Sequence, residues 1–142
     1  MRLALHTDYA LRTLMYLAAR GRRARVDDIA GFFAISAHHV AKVVQQLARL
    51  GFVRSHRGAG GGLELARPAA DIRVGEVITA MEGNTHLLEC VGTDDVCVIQ
   101  AACRLRHVLA KAERLQMDYL DNVRLADLVR PGETLQRSLP RR

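Results

Sequence analysis

The sequence predicts a mainly α-helical chain with a small β-hairpin wing: a winged helix-turn-helix followed by a long dimerisation helix. Three observations carry this. Two apolar-periodic segments meet at a tight connection, Ala34-Ile35-Ser36. A glycine-rich turn, Gly58-Ala59-Gly60-Gly61-Gly62, then separates two short runs of strand character. Later, Leu105, Val108, Leu109, Ala112, Leu115, Tyr119 and Leu120 recur at helical spacing, the signature of a long helix with one apolar face.

The first helix is placed by Leu11, Leu14, Met15 and Ala18, at i, i+3, i+4 and i+7. Thr7 is positioned to cap it, and Asp8 falls in its first turn, where the helix dipole favours an acid. Gly21 and the basic stretch Arg22-Arg23-Ala24-Arg25 end it. Val26, Ile29, Ala30 and Phe33 set a short second helix. Ser36 is the expected N-cap of a third, with Val40, Val43, Val44, Leu47 and Leu50 on its apolar face and Gly51 as its stop. A short helix, a tight turn and a longer helix make a helix-turn-helix.

The runs Phe52–Arg57 and Leu63–Pro68 flank the glycines as a hairpin, and a hairpin directly after a recognition helix is a wing. Gly60 lets the tip approach a phosphate backbone closely, and Arg54, Arg57 and Arg67 supply charge. The glycines are not a nucleotide loop: Leu63 stands where the dinucleotide fingerprint needs its third Gly, and no Gly-Lys-Ser/Thr follows.

Val74 to Met81 forms a further short amphipathic helix, ended by Gly83-Asn84. The organisation expected is a winged helix-turn-helix domain over 1–83, a cysteine-bearing loop over 84–103, a dimerisation helix with a short following helix over 104–130, and a flexible tail over 131–142. The first half can cover only part of the long apolar stripe, so that helix is expected to pack against its copy in a homodimer.

Charge is distributed unevenly. Residues 1–67 carry 11 Lys and Arg against 4 Asp and Glu, a balance of +7, whereas residues 68–142 carry 10 against 11. A one-sided positive field attracts polyanions. The polar face of the third helix offers His38, His39, Lys42, Gln45, Gln46 and Arg49 with no acid among them, a donor-rich set suited to a groove lined by acceptors and phosphates. The candidate DNA contacts are therefore Ser36, His38, His39, Lys42, Gln46, Arg54, Arg57 and Gly60. No apolar run is long enough to cross a bilayer and the N-terminus lacks a signal-peptide core, so a cytoplasmic protein without a membrane partner is expected.

The three cysteines, Cys90, Cys97 and Cys103, all fall within fourteen residues. An odd number argues against a disulfide scaffold, and clustering argues for a shared metal or redox task. The gaps are wider than those of a zinc knuckle. Thiolates suit iron–sulfur clusters; zinc bound with His86 or His107 and a thiol redox switch are the alternatives. No arrangement of nucleophile and base points to catalysis.

Leu5-x-Thr7-Asp8-Tyr9-Ala10-Leu11-Arg12, the wing segment Arg57-Gly58-x-x-Gly61-Gly62 and the three cysteines resemble the iron–sulfur winged-helix regulators of the Rrf type. Ala102-Cys103-Arg104-Leu105 and Leu125-Ala126-Asp127-Leu128-Val129 resemble, within that family, the nitric-oxide-sensing repressors of the NsrR type. The resemblance covers residue 3 to about residue 130. It implies a dimeric repressor that binds a palindromic double-stranded DNA operator, its recognition helix in the major groove and its wing in the minor groove. It implies a [4Fe-4S] or [2Fe-2S] cluster on Cys90, Cys97 and Cys103, with Asp8 donated by the partner subunit as fourth ligand and nitric oxide as signal.

The family's regulators of iron–sulfur assembly carry a histidine three residues after the last cysteine. Arg106 stands there in this chain, and His107 falls one place late. Ala37, at a recognition-helix position where an Arg would be unsurprising, is a second departure, and it bears on the operator read.

Overall fold

The computed structural model describes residues 2–130 and 134–139. Helix α1 (Leu5–Arg20) starts earlier than a Thr7 cap predicts, with Ala4 at the cap position. The reason is burial: Thr7 is fully enclosed in the first turn and cannot face outward as a cap. The helix start is instead tied by Glu82, whose carboxylate accepts the Ala4 N–H at 2.7 Å. Gly21 ends α1 as expected, at φ +63°, its N–H on the Leu17 carbonyl.

Helices α2 (Val26–Phe33) and α3 (Ala37–Arg49) follow the sequence periodicity. Ser36 takes the N-cap position of α3, but its hydroxyl makes no capping bond. Leu50, placed by spacing on the apolar face, is 40% exposed. The helix has ended at Arg49 by then, and Gly51 at φ +80° redirects the chain.

Strands β1 (Val53–His56) and β2 (Gly62–Leu65) pair antiparallel, from Val53 opposite Leu65 to His56 opposite Gly62. Ala24 adds a bridge on the outer side of β2, exchanging both backbone hydrogen bonds with Leu63 at 3.0 and 2.7 Å. Leu14, Ile29, Val40, Leu47, Phe52 and Leu63 close the core between these elements. Each such large side chain, fully buried, contributes about 1.5–3 kcal/mol.

Helix α4 (Val74–Glu82) ends at Gly83. The segment 84–103, expected as a loop, contains a short helix α5 (Glu89–Gly92) and a 3-10 turn at Gln100–Ala102. Helix α6 (Arg104–Asn122) then packs along α4. Gly75 permits that approach: a Cβ there would fall 2.9 Å from the Asp121 amide nitrogen.

The long apolar stripe divides across α6. Leu109, Met117 and Leu120 are half-buried, on the side that carries Glu113 and Asp121. Leu105, Val108, Leu115 and Tyr119 stand 57, 63, 62 and 70% exposed. After α6 the chain returns to the first helices. A 3-10 turn at Leu125–Val129 packs on α1, burying Leu125 and donating its N–H to Ile72 at 2.8 Å.

The expectation of a flexible tail is corrected where the tail is described. Thr134–Ser138 form helix α7 against α1, and Leu139 packs on the core. Apolar contact there overrides the local Pro-rich, basic composition. Residues 131–133 and 140–142 of that tail lie outside the described residues.

Candidate nucleic-acid interface and cysteine segment

Helix α3 buries Val40, Val43, Val44 and Leu47, and 3.6-residue periodicity turns its other face outward. Ser36, His38, His39, Lys42, Gln45 and Arg49 are exposed and Gln46 is half-buried. The His38 and His39 rings lie 6.1 Å apart, and Tyr9 of α1 lies 6.2 Å from His39. Beside them Leu5, His6, Tyr9, His39, Lys42 and Val43 line a cavity of about 290 Å³ joining the start of α1 to this face.

On the wing, Arg57 and Gly60 are exposed at the tip, and Arg57 enters no ion pair among the described residues. Gly60 has φ +75°. Arg54 is exposed but donates to the Ala66 carbonyl at 2.6 Å. Arg67, expected to supply charge to the wing, is engaged within the chain. It pairs with Glu76, donates to the Asp71 carbonyl at 3.1 Å and stacks over the Phe52 ring at 5.2 Å. Its work is packing the wing onto the body.

The three thiols are free, Cys97 exposed and Cys90 and Cys103 half-buried. Their backbone is ordered by one residue that periodicity does not reveal. Gln100 is buried, and its side-chain amide donates to the carbonyls of Cys90 at 3.0 Å and Thr93 at 2.6 Å. Its side-chain oxygen accepts the Val96 N–H at 3.0 Å, and its own N–H reaches the Cys97 carbonyl at 3.0 Å. The cysteines thus sit on a wrapped segment whose interior is an amide. Cys103 occupies the N-cap position of α6.

Glu113 ties the start of this segment to α6, accepting from the His86 ring at 2.9 Å and from the Leu87 N–H. Burial raises the Glu113 pKa, but these two donors outweigh it and hold the carboxyl below its ordinary range. The His86 ring presses on Gly92, where a Cβ would collide with it.

Three thiols on one short segment suit an iron–sulfur cluster or another soft metal by donor chemistry. Within a single chain, no three His, Cys, Asp or Glu side chains among the described residues converge as a ligand set. Asp8 is half-buried on α1 and accepts from Arg12 at 2.9 Å, four residues on. Arg106, three residues after Cys103, points back to the segment and pairs with Asp94 at 2.7 Å, whereas His107 is exposed.

Sequence reasoning missed Gln100, Glu113 and the pair Arg23–Glu64, because a lone polar residue carries no periodic signal. The Arg22-Arg23-Ala24-Arg25 stretch marks only a helix end in the sequence, because the hairpin it meets lies far along the chain.

A helix-turn-helix with an acid-free outer face and a glycine-tipped wing defines a DNA-binding transcriptional regulator. The chain belongs to the Rrf2 family, described as iron-dependent transcriptional regulators, which it matches over residues 3–131. Members of that family are regulators and not enzymes.

Solved structures agree in fold. CymR of B. subtilis, the global cysteine regulator, is 24% identical with a TM-score of 0.76, covering 91% of this chain and 96% of that one. The oxidized form of Staphylococcus aureus CymR is 25% identical with a TM-score of 0.72, covering 94% and 100%. IscR of T. potens is 24% identical with a TM-score of 0.71, covering 94% and 89%. No helix among the described residues is long and apolar enough to cross a membrane.

Proposed function

We propose that this protein is a transcriptional repressor that binds a palindromic operator as a homodimer, and that chemistry at Cys90, Cys97 and Cys103 sets its affinity. The observation that supports a sensing role is the cysteine segment itself. Three free thiols sit on a stretch of chain wrapped around Gln100 and tied to α6 by Glu113.

In this reading α3 enters the major groove. His38, His39, Lys42 and Gln46 face base edges and Ser36 faces the backbone, while Arg54, Arg57 and Gly60 bring the wing to the minor groove. The segment 1–83 is the reading head, 84–103 the sensor, and 104–130 the link to the second subunit. The resident group is an iron–sulfur cluster, [4Fe-4S] or [2Fe-2S], on the three cysteines, with Asp8 of the other subunit as fourth ligand and nitric oxide as signal. Bound there, such a cluster supplies iron that exchanges thiolate for nitric oxide.

The chain's own residues would convert that event into lost affinity. Asp8 would be released to its Arg12 partner, and the cysteine segment would keep only its Gln100 and Glu113 ties. A tenfold change in operator affinity requires only about 1.4 kcal/mol of difference between the two states.

A second reading rests on the exposure of Cys97 and on the absence of a convergent donor set within one chain among the described residues. It makes the cysteines a thiol redox switch without a metal.

Anaerobic purification followed by titration with nitric oxide, with operator affinity measured in parallel, tests both. The cluster reading expects coloured protein containing iron and sulfide whose affinity falls as nitric oxide is added. Colourless protein that loses affinity with peroxide and regains it with a dithiol reductant would move the function to thiol chemistry. Cys97→Ala is expected to remove both the colour and the nitric oxide response, and retained nitric-oxide-sensitive tight binding would overturn the assignment.

A further inference from the structure

We propose that Arg23 and Glu64 form a strap that fixes the wing tip for DNA contact, so that a residue outside the helix-turn-helix and the wing, Arg23, helps set operator affinity. A hairpin with four-residue strands is marginal by itself, so something must hold this one. The backbone of Ala24 supplies a third-strand bridge to Leu63. Gly62, at φ +148°, allows it: a Cβ there would stand 3.0 Å from the Ala24 carbonyl oxygen.

The neighbouring Arg23 side chain spans from this bridge to the tip. Its Nε donates to Glu64 at 3.1 Å and its Nη1 to the Gly60 carbonyl at 3.3 Å. Glu64 also receives the His56 ring from β1 at 2.6 Å, so one carboxylate gathers three segments. The Arg23 guanidinium and then the His56 ring hold that carboxyl below its ordinary range. At the tip itself Gly61 has no room for a side chain, because a Cβ would lie 2.5 Å from the His56 carbonyl oxygen. The strap therefore positions a tip that sterics have already shaped, with Arg57 and Gly60 on it.

This inference rests on the reading that the wing meets DNA, and charge gives it a discriminating test. Glu64→Gln removes a negative charge from a DNA-facing element, which by electrostatics alone tightens binding. The strap predicts the reverse at the operator: about fivefold weaker binding, with non-specific affinity unchanged or stronger. It also predicts faster amide exchange of Gly61 and Leu63 in the free protein, with the exchange of α3 amides unaltered.

Arg23→Lys keeps the charge but cannot span to both acceptors, so it should lose operator affinity as Glu64→Gln does. The double variant should lose no more than either single one. Operator binding by Glu64→Gln as tight as wild type or tighter would overturn the strap. Arg57→Ala separates the two levels: it should weaken binding and reduce its salt dependence. If Arg57→Ala changes neither, the wing reading falls and the strap falls with it. If Arg57→Ala weakens binding while Glu64→Gln does not, only the strap is lost.

Discussion

Single carboxylates do much of the joining in this molecule, and Glu82 shows how one residue at the end of α4 holds the entry to α1. The Ala4 N–H donates to it at 2.7 Å, and the buried Thr7 hydroxyl is left without a geometric hydrogen bond. The Thr7 hydroxyl first, then the Ala4 N–H and the nearby His6, lower the Glu82 pKa against the opposing effect of burial. The unfolded chain titrates this group near the ordinary value of about 4.3. Below that pH the unfolded state binds a proton that the folded state still resists. The stabilisation is therefore complete above the unfolded pKa and is lost as pH falls through the lower folded value. Glu82→Gln is expected to be less stable than wild type at neutral pH, and its stability should fall less steeply between about pH 5 and pH 3. Denaturant midpoints measured across that range check this; parallel acid limbs for the two proteins would count against it. Residues of this kind also mark where sequence reading stopped. Cys90, Cys97 and Cys103 were legible as candidates because three thiols so close together are chemically unusual. His38, His39 and Lys42 were legible as candidates because an acid-free helix face is unusual. Glu82, Gln100 and Glu64 were not, because their partners lie distant in sequence or in the turns of one wrapped segment, and a single Glu or Gln looks like any solvated residue.

At the scale of elements, α1 to α4 and the wing follow from periodicity and turn chemistry, since each has a local apolar pattern ended by a glycine or a tight connection. The departures share a cause: tertiary contact decided where local signal was weak. The start of α1 moved because Thr7 is enclosed. The segment 84–103 gained α5 and a 3-10 turn because Gln100 gives its backbone an internal partner. The tail gained α7 because α1 offers it an apolar surface. The same segment 84–103 is coupled to α6 at one place, where Glu113 takes the His86 ring and the Leu87 N–H. The Glu113 side chain is only 13% exposed, so its two bonds are better shielded than a surface pair. Glu113→Ala should therefore loosen the segment without unfolding the reading head. Amide exchange at residues 86–93 is expected to rise about tenfold, with the amides of α2 and α3 unchanged. Uniformly faster exchange across the chain would instead mean a general loss of stability, and unchanged exchange would mean that Gln100 alone orders the segment.

At the scale of the whole molecule, one feature of the fold is unfinished within a single chain. Leu105, Val108, Ala112, Leu115 and Tyr119 follow one another at spacings of three and four residues along α6, the a and d positions of a helix–helix seam. The four large ones are more than half exposed, whereas the opposite side of the helix is already engaged with α4 and with segment 84–103. A monomer showing such a stripe to water would be prone to association. In the proposed homodimer, a second copy of the same helix, related by a two-fold axis, would cover it with like against like. That arrangement also fits the proposed operator, because two reading heads on one dimer meet two half-sites. The second head then binds at the high effective concentration of a linked site. Leu115→Glu places a charge at the centre of the seam and leaves α3 and the wing untouched. It should convert the protein to a monomer by light scattering and weaken palindromic operator binding by roughly a hundredfold or more. Affinity for a single half-site should change little, because each head keeps its own groove contacts. A Leu115→Glu protein that remained dimeric would place the subunit contact elsewhere. A monomer that kept full affinity for the palindrome would show that the two heads bind independently, and signal at the cysteines would then have to act within one chain.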